Sequence, residues 1–149
     1  MIIEKILCSA CLLGLSCRYD GNSRPNNKVI ELIKDYILIP VCPEQLGGLP
    51  TPRECSEISG TKVFTRSGRD VTQNFIHGAK QTLYIAKLLG IKKAILKQYS
   101  PSCGCGKIYD GSFRGKIIEG DGVTTKLLKE EGIFVISDEE VIKEEKLFD

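Results

Sequence analysis

Residues 70–106 read DVTQNFIHGAKQTLYIAKLLGIKKAILKQYSPSCGCG, and the succession of patterns within them decides the fold. Val71, Phe75, Ala79, Leu83 and Ala86 recur at helical spacing, which predicts one long amphipathic helix over residues 70–89. Asp70 can cap its start and Gly90 its end. Ala94, Ile95 and Leu96 follow as a short apolar run of the buried-strand type, and the chain passes from it into a loop of Ser, Pro, Gly and Cys. A helix, a tight turn, a buried strand and a polar loop make one unit of an α/β protein.

The same alternation extends in both directions. Residues 2–7, 36–41 and 133–136 are apolar runs that read as three more buried strands. Pro25 opens a helix with Val29, Ile33 and Tyr36 on its apolar face, and a second helix covers residues 122–129, ending near Gly132. Ser137-x-x-Glu140 has the form of a capping box for a last helix. Residues 63–65 add a short edge strand. The expected architecture is α/β: a single domain over residues 1–149, with an open, mostly parallel sheet flanked by helices in a Rossmann-like three-layer arrangement. Tyr19-Asp20-Gly21 recurs as Tyr109-Asp110-Gly111, but Asp-Gly is turn chemistry and the repeat implies no duplication.

With 42% hydrophobic and 27% charged residues the chain has the composition of a globular protein. Its net charge of +2 gives no footprint for a nucleic acid, apart from a local patch at Lys92, Lys93 and Lys97, and RNA is therefore not an indicated partner. Glu4 and Lys5 interrupt the apolar N-terminal stretch, which is too short to span a bilayer or to serve as a signal peptide. A cytoplasmic location is expected, with no membrane partner, and the seven cysteines are then expected as free thiols available for metal binding or chemistry.

Placed on the predicted sheet, Cys11, Cys42 and Cys103 each fall just past the end of a strand, in loops rich in Gly, Pro or Ser. The carboxyl ends of parallel strands share one edge, where ligands bind, so three thiols remote in sequence converge there. Cys8, Cys17 and Cys55 read instead as small core hydrophobes. Soft thiolates favour zinc, cuprous copper or an iron-sulfur cluster. A structural zinc held by Cys8, Cys11, Cys103 and Cys105 is one arrangement the spacing allows. Three ligands from Cys11, Cys42 and Cys103 leave an open coordination position beside Glu44, which suits catalysis.

The segments SACLLG, RYDG, CPEQLGGLPTPRE, GRDVTQNFIHGA, AILKQYSPSCG and IYDGSFRGKIIEGDGVTTKLL, in this order over nearly the whole chain, resemble the thiouracil desulfidase family, also known as domain of unknown function 523. The resemblance implies an α/β domain whose 4Fe-4S cluster is held by three cysteines, matching Cys11, Cys42 and Cys103 here, with Glu44 as the matching acid. It implies non-redox, hydrolytic desulfuration of a thiolated pyrimidine, a thiouracil-like base or thiouridine, with the sulfur bound by the open iron. Such a cluster is expected to be lost or replaced by zinc in aerobic preparations.

The remaining polar residues fit around that chemistry. His77 falls between apolar positions of the long helix and reads as a surface residue, which leaves a carboxylate, Glu44, as the base for water. Ser100 and Ser102 can hydrogen-bond the pyrimidine or relay a proton, or else cap turns around Pro101; the resemblance favours Ser100. Asp20, Arg53 and Lys97 are weaker candidates for holding a pyrimidine edge. Cys105 lies outside the shared motif. As a fourth ligand it would make the cluster a non-catalytic redox or structural centre, and as a persulfide it would transfer sulfur.

Overall fold

The computed structural model describes residues 2–141. Strand β1, Lys5–Ser9, is followed by a 3-10 turn, Ala10–Leu13, and a one-turn helix α1, Asn27–Ile30. Strand β2, Ile37–Val41, leads to the short helix α2, Pro43–Leu46, and to a hairpin of β3, Ser56–Ser59, and β4, Lys62–Thr65. The long helix α3, Thr72–Leu89, delivers β5, Lys93–Leu96. A second hairpin, β6 Lys107–Tyr109 and β7 Ile117–Glu119, precedes helix α4, Val123–Glu130, and strand β8, Phe134–Ser137.

Four strands form the main sheet in the order β2-β1-β5-β8, and every pairing in it is parallel. The α/β three-layer expectation holds. Along β1 the side chains alternate: Ile6 and Cys8 join one core with Leu12, Val29 and Ile136, while Leu7 joins the other with Ala86, Leu96 and Leu128. Helices α3 and α4 cover the second face. The first is covered by the 3-10 turn, α1 and Val141, so this layer is made of short pieces rather than a long helix. No helix among the described residues is long and apolar enough to cross a membrane.

Helix α3 follows the predicted apolar stripe, with Phe75, Ala79 and Ala86 buried, and full burial of a side chain like Phe75 is worth about 2–3 kcal/mol. Gly90 ends it in the left-handed conformation at φ 68°. His77 is exposed, as its place in the pattern implies. Asp70 accepts the Thr72 N–H at 2.9 Å, so it supports the first turn from two residues ahead while Val71 occupies the cap position.

Three expectations need correction. Residues 63–65 belong to β4, which pairs with β3 in a separate antiparallel hairpin and not with the main sheet; Val63 instead packs on Val71 and Phe75. The helix opened by Pro25 is one turn capped by Asn26 and continued by a 3-10 turn, Glu31–Lys34, and Ile33 is exposed. The Ser137 capping box is present but opens only a three-residue 3-10 turn, Asp138–Glu140; any continuation of that last helix past Val141 lies outside the described residues. The β6–β7 hairpin is unexpected, because its short runs are broken by Asp, Gly, Ser and Arg.

Helices α2 and α3 cross with their backbones in contact. A Cβ added to Gly47 would overlap the Asn74 carbonyl, and one added to Gly78 would overlap the Pro43 carbonyl. Only glycine at both positions allows this approach. It fixes the first turn of α2, and with it Glu44, against the longest helix among the described residues.

Candidate active site

The carboxyl ends of β1, β2 and β5 open into a cavity of about 480 Å3, a usual size for a small-molecule site. Neighbouring strands β1 and β5 send their chains to opposite sides of the sheet, β1 on to β2 and β5 on to β8. Such a reversal creates the crevice where open α/β sheets bind ligands. Cys11 from the 3-10 turn after β1, Cys42 just past β2 and Cys103 from the loop after β5 all line it.

The three thiols are held in dry surroundings. Burial pushes the Cys103 thiol up to about 12, against hydrogen bonds from Ser9 and Ser102 that favour its thiolate. Cys42 is pushed up as well, first by its hydrogen bond with the Cys17 thiol and then by burial; its own Sγ lies 3.6 Å from the Cys17 carbonyl. Raised in this way, the Cys42 and Cys103 thiols ionise at neutral pH only when a cationic centre binds them.

The loop after β5 is shaped by its serines. Ser100 Oγ accepts the backbone N–H groups of Ser102 and Cys103, both at 3.1 Å, and lies 2.9 Å from Ser102 Oγ. Its oxygen already receives two donors, so its own proton goes to Ser102, whose hydroxyl donates to Glu44 Oε2 at 3.1 Å. Behind the loop stands the start of α4, where the N–H groups of Val123 and Thr124 donate to the carbonyls of Pro101 and Ser102, each at 2.9 Å. Two orphan donors of that helix are thereby satisfied by the very loop that carries Cys103.

Glu44 follows Pro43, which occupies the first position of α2, where a missing N–H costs nothing. Its other oxygen, Oε1, accepts Arg53 Nε at 3.0 Å in an ion pair whose side chains are only 13% and 6% exposed. Arg53 reaches further. Its two terminal nitrogens donate to the Thr51 hydroxyl at 2.9 Å, the Pro50 carbonyl at 3.1 Å and the Cys17 carbonyl at 3.0 Å.

The structure thus brings Cys11, Cys42, Cys103, Glu44, Ser100 and Ser102 to one cavity, and it distributes the weaker candidates differently. Lys97 lines the cavity with its ammonium 5.6 Å from the Tyr99 ring centre and 3.2 Å from the Gln98 carbonyl. Arg53 also lines it, with its hydrogen bonds running to Glu44, Pro50, Thr51 and Cys17. Asp20 is not among the lining residues; its carboxylate accepts the Asn22 N–H at 3.0 Å and pairs with Arg18 at 3.6 Å, closing a turn.

The cysteines read as core fillers divide as well. Cys8 is fully buried in the core, as expected. Cys17 is buried too, yet it lines the cavity with its thiol hydrogen-bonded to those of Cys11 and Cys42, and half-buried Cys55 lines another wall. The four-cysteine zinc arrangement is not formed. Cys8 points into the core, and Cys105 Sγ lies 3.5 Å from the Val135 carbonyl, away from the cavity. Among the described residues no three His, Cys, Asp or Glu side chains are placed to hold a single metal ion.

Sequence reasoning missed the walls supplied by the two hairpins, including Glu57, Tyr109 and Phe113, and the Ser9 hydroxyl beside Cys103. The repeated Tyr-Asp-Gly was the available signal. Asp20 and Asp110 each accept the N–H two residues on, at 3.0 and 2.9 Å, and both preceding tyrosines line the cavity.

Comparison with known proteins bears on the fold and the family. The chain is 45% identical over 146 residues to YbbK of Bacillus subtilis (strain 168), described as uncharacterized, covering 91% of this chain and 97% of that one. The solved structure of the 4Fe-4S-dependent thiouracil desulfidase TudS superposes with a TM-score of 0.88 at 46% identity, over 93% of each chain. Residues 6–140, which include every cavity-lining side chain discussed, match the model of the 2-thiouracil desulfurase family, and it is to this family that the chain belongs.

Proposed function

We propose that the protein removes sulfur from a thiolated pyrimidine by hydrolysis, with Cys11, Cys42 and Cys103 as the ligands of a 4Fe-4S cluster. The donor set fits such a group. The sulfurs of buried Cys11 and Cys103 and of half-buried Cys42 reach the cavity from three different strand ends, and soft thiolates are the donors an iron-sulfur cluster takes. TudS, which shares 46% of its sequence with this chain, is itself described as 4Fe-4S-dependent. Bound there, the cluster would supply a soft Lewis-acid iron for the thiocarbonyl sulfur.

The observation that carries the reading is the anchoring of Glu44. Arg53 holds Oε1 and Ser102 holds Oε2, so the carboxylate, two residues from Cys42, is fixed in the cavity wall with lone pairs left to accept a proton. A carboxylate so fixed accepts a proton from water as the oxygen adds to the thiocarbonyl carbon. The Ser102 hydroxyl, bonded to Oε2, can pass that proton back toward the departing sulfur, while Ser100 holds Ser102 in place. Lys97 stands at the wall as a donor for a ring carbonyl. The balance is thiocarbonyl plus water giving carbonyl plus hydrogen sulfide, with no electron gained or lost. Free base or nucleoside is the expected substrate, and location in the cytoplasm is part of the same reading.

The test is oxygen-free reconstitution followed by iron and sulfide analysis and incubation with 2-thiouracil. Matching iron and sulfide, with sulfide release by the wild type but not by Glu44→Gln, supports the proposal. A protein that takes up zinc alone, or a Glu44→Gln variant that turns over normally, overturns it.

A further inference from the structure

Four aromatic side chains line the cavity, and they are not equivalent. Tyr99 and Tyr109 pack on each other with ring centres 6.1 Å apart, and the Tyr99 hydroxyl is committed to Glu139 at 2.9 Å. Tyr19 is 40% exposed at the rim. Phe113 is different. It has no hydroxyl to satisfy and is half-buried, and its backbone, like that of Tyr99 at φ 70°, is held in the left-handed region that an L side chain rarely adopts, at φ 59°. A residue persists there only when its surroundings over-determine it.

The surroundings are identifiable. Glu57 on β3 is 9% exposed, and a single oxygen of its carboxylate, Oε1, accepts the backbone N–H groups of Gly111 at 3.0 Å and Phe113 at 3.1 Å. Gly111 itself lies so close to β3 that a Cβ would come within 2.7 Å of the Ile58 carbonyl. The loop between β6 and β7 is thus clamped onto the other hairpin from both sides. The Arg66 guanidinium lies 5.5 Å from the Phe113 ring centre, which fixes the ring plane through a cation–π contact. Strain, a buried carboxylate and an arginine all serve to hold one phenyl ring in the cavity wall.

We infer that Phe113 is the platform on which the pyrimidine ring of the substrate stacks, and that Glu57 is the positioning residue that holds it there. The assignment rests on the reading of the cavity as a desulfurase site. A thiolated pyrimidine is flat and offers a π-face wherever its sulfur stands, and a phenyl ring holds that face without reading the ring's edges. Phe113 sets the plane of the base, and the groups around Cys42 and Glu44 act on its edge.

The test uses cluster-loaded protein and steady-state kinetics with 2-thiouracil, together with inhibition by uracil, which has the ring but no sulfur to release. Loss of stacking removes binding common to ground and transition states, so Phe113→Ala is expected to raise KM by about 10-fold to 100-fold, with the loss falling on KM rather than on kcat. The uracil inhibition constant should rise in parallel. Phe113→Leu, which keeps apolar bulk, should behave like the alanine variant if folding is disturbed by neither, and Phe113→Tyr should recover the low KM. Because one oxygen makes both clamp bonds, Glu57→Gln should keep the low KM that Glu57→Ala loses. An active wild type whose KM and uracil inhibition are unmoved by Phe113→Ala and Phe113→Leu overturns this assignment alone. A cluster-loaded wild type without sulfide release overturns the functional reading, and the assignment with it.

Discussion

The Ser102 hydroxyl stands 3.1 Å from Glu44 Oε2, joining the loop after β5 to the first turn of α2 across 58 residues of sequence. Ser100 stands behind it and is bound in a different way, its oxygen taken by two backbone N–H groups. The two hydroxyls therefore do different work: Ser100 builds the loop and Ser102 touches the acid.

Their variants should separate accordingly. Ser102→Ala leaves the loop's backbone bonds in place but removes the donor to Glu44, so iron content should hold while kcat falls roughly 100-fold. Ser100→Ala strands the N–H groups of Ser102 and Cys103, each orphaned donor costing about 1–3 kcal/mol when buried. That variant should lose iron after reconstitution. Iron analysis beside kinetics distinguishes them, and equal iron retention in both variants would refute the division of labour.

Gly78 gives a prediction for a residue far from any chemistry. Its missing Cβ is what lets α3 touch the Pro43 carbonyl, so Gly78→Ala must push α2 outward and move Glu44 with it. Overpacking at such a contact costs about 2 kcal/mol, and for a chain of this size the melting temperature should drop by about 4–8 °C. Sulfide release should fall by more than the stability loss explains at a temperature where the variant is fully folded. Circular dichroism melts and turnover at low temperature check both halves.

Much of this was legible in the sequence, and the reasons are local. The period of α3, its Gly90 stop and the apolar run into β5 announce themselves because burial on one face dictates residue type at each position. The convergence of Cys11, Cys42 and Cys103 followed from one topological rule about strand ends. What stayed hidden depends on contacts between distant segments. Arg53 could not be seen to serve Glu44, because its fork closes on Cys17, Pro50 and Thr51 only in three dimensions. Residues 63–65 have strand composition, but composition does not say which strand they pair with. Phe113 sits in a segment with too many turn residues to show any period at all.

Cys8 provides a pH test that needs no cluster. Burial, followed by the nearby Cys103 and Asp138, pushes its thiol from the ordinary 9.0 up to about 12. In the unfolded chain the thiol gives up its proton near 9.0, while the folded protein keeps it to about 12, so across this window the native state binds more protons. Stability is then fully present below pH 9 and declines as pH rises, by about 1.4 kcal/mol per pH unit from this group. Cys8→Ala removes the slope but leaves a small cavity. The variant should be less stable than the wild-type apoprotein at pH 7, with the gap narrowing in urea titrations at pH 10 and 11. A gap that stays constant would show that Cys8 does not titrate in this way.

Arg53 has the sharpest conservative substitution. Its planar fork makes bonds to four groups at once, and the Glu44 pair is almost wholly buried, so a lysine of the same charge can reach only one or two of these partners. Removing the charge altogether, as Arg53→Met does, leaves Glu44 uncompensated at a cost of about 3 kcal/mol, and lysine avoids only part of that loss. Arg53→Lys should keep the cluster, because none of the three cysteines proposed as its ligands bonds to the guanidinium. It should lose stability and show a lower kcat with KM little changed, since the acid is misplaced while the base-binding wall around Phe113 is intact. Arg53→Met, which removes the charge, should lose activity more completely than Arg53→Lys. If instead Arg53→Lys raised KM for 2-thiouracil and left kcat alone, Arg53 would be a substrate-binding residue after all, and the support it gives Glu44 in this structure would not be what the reaction uses.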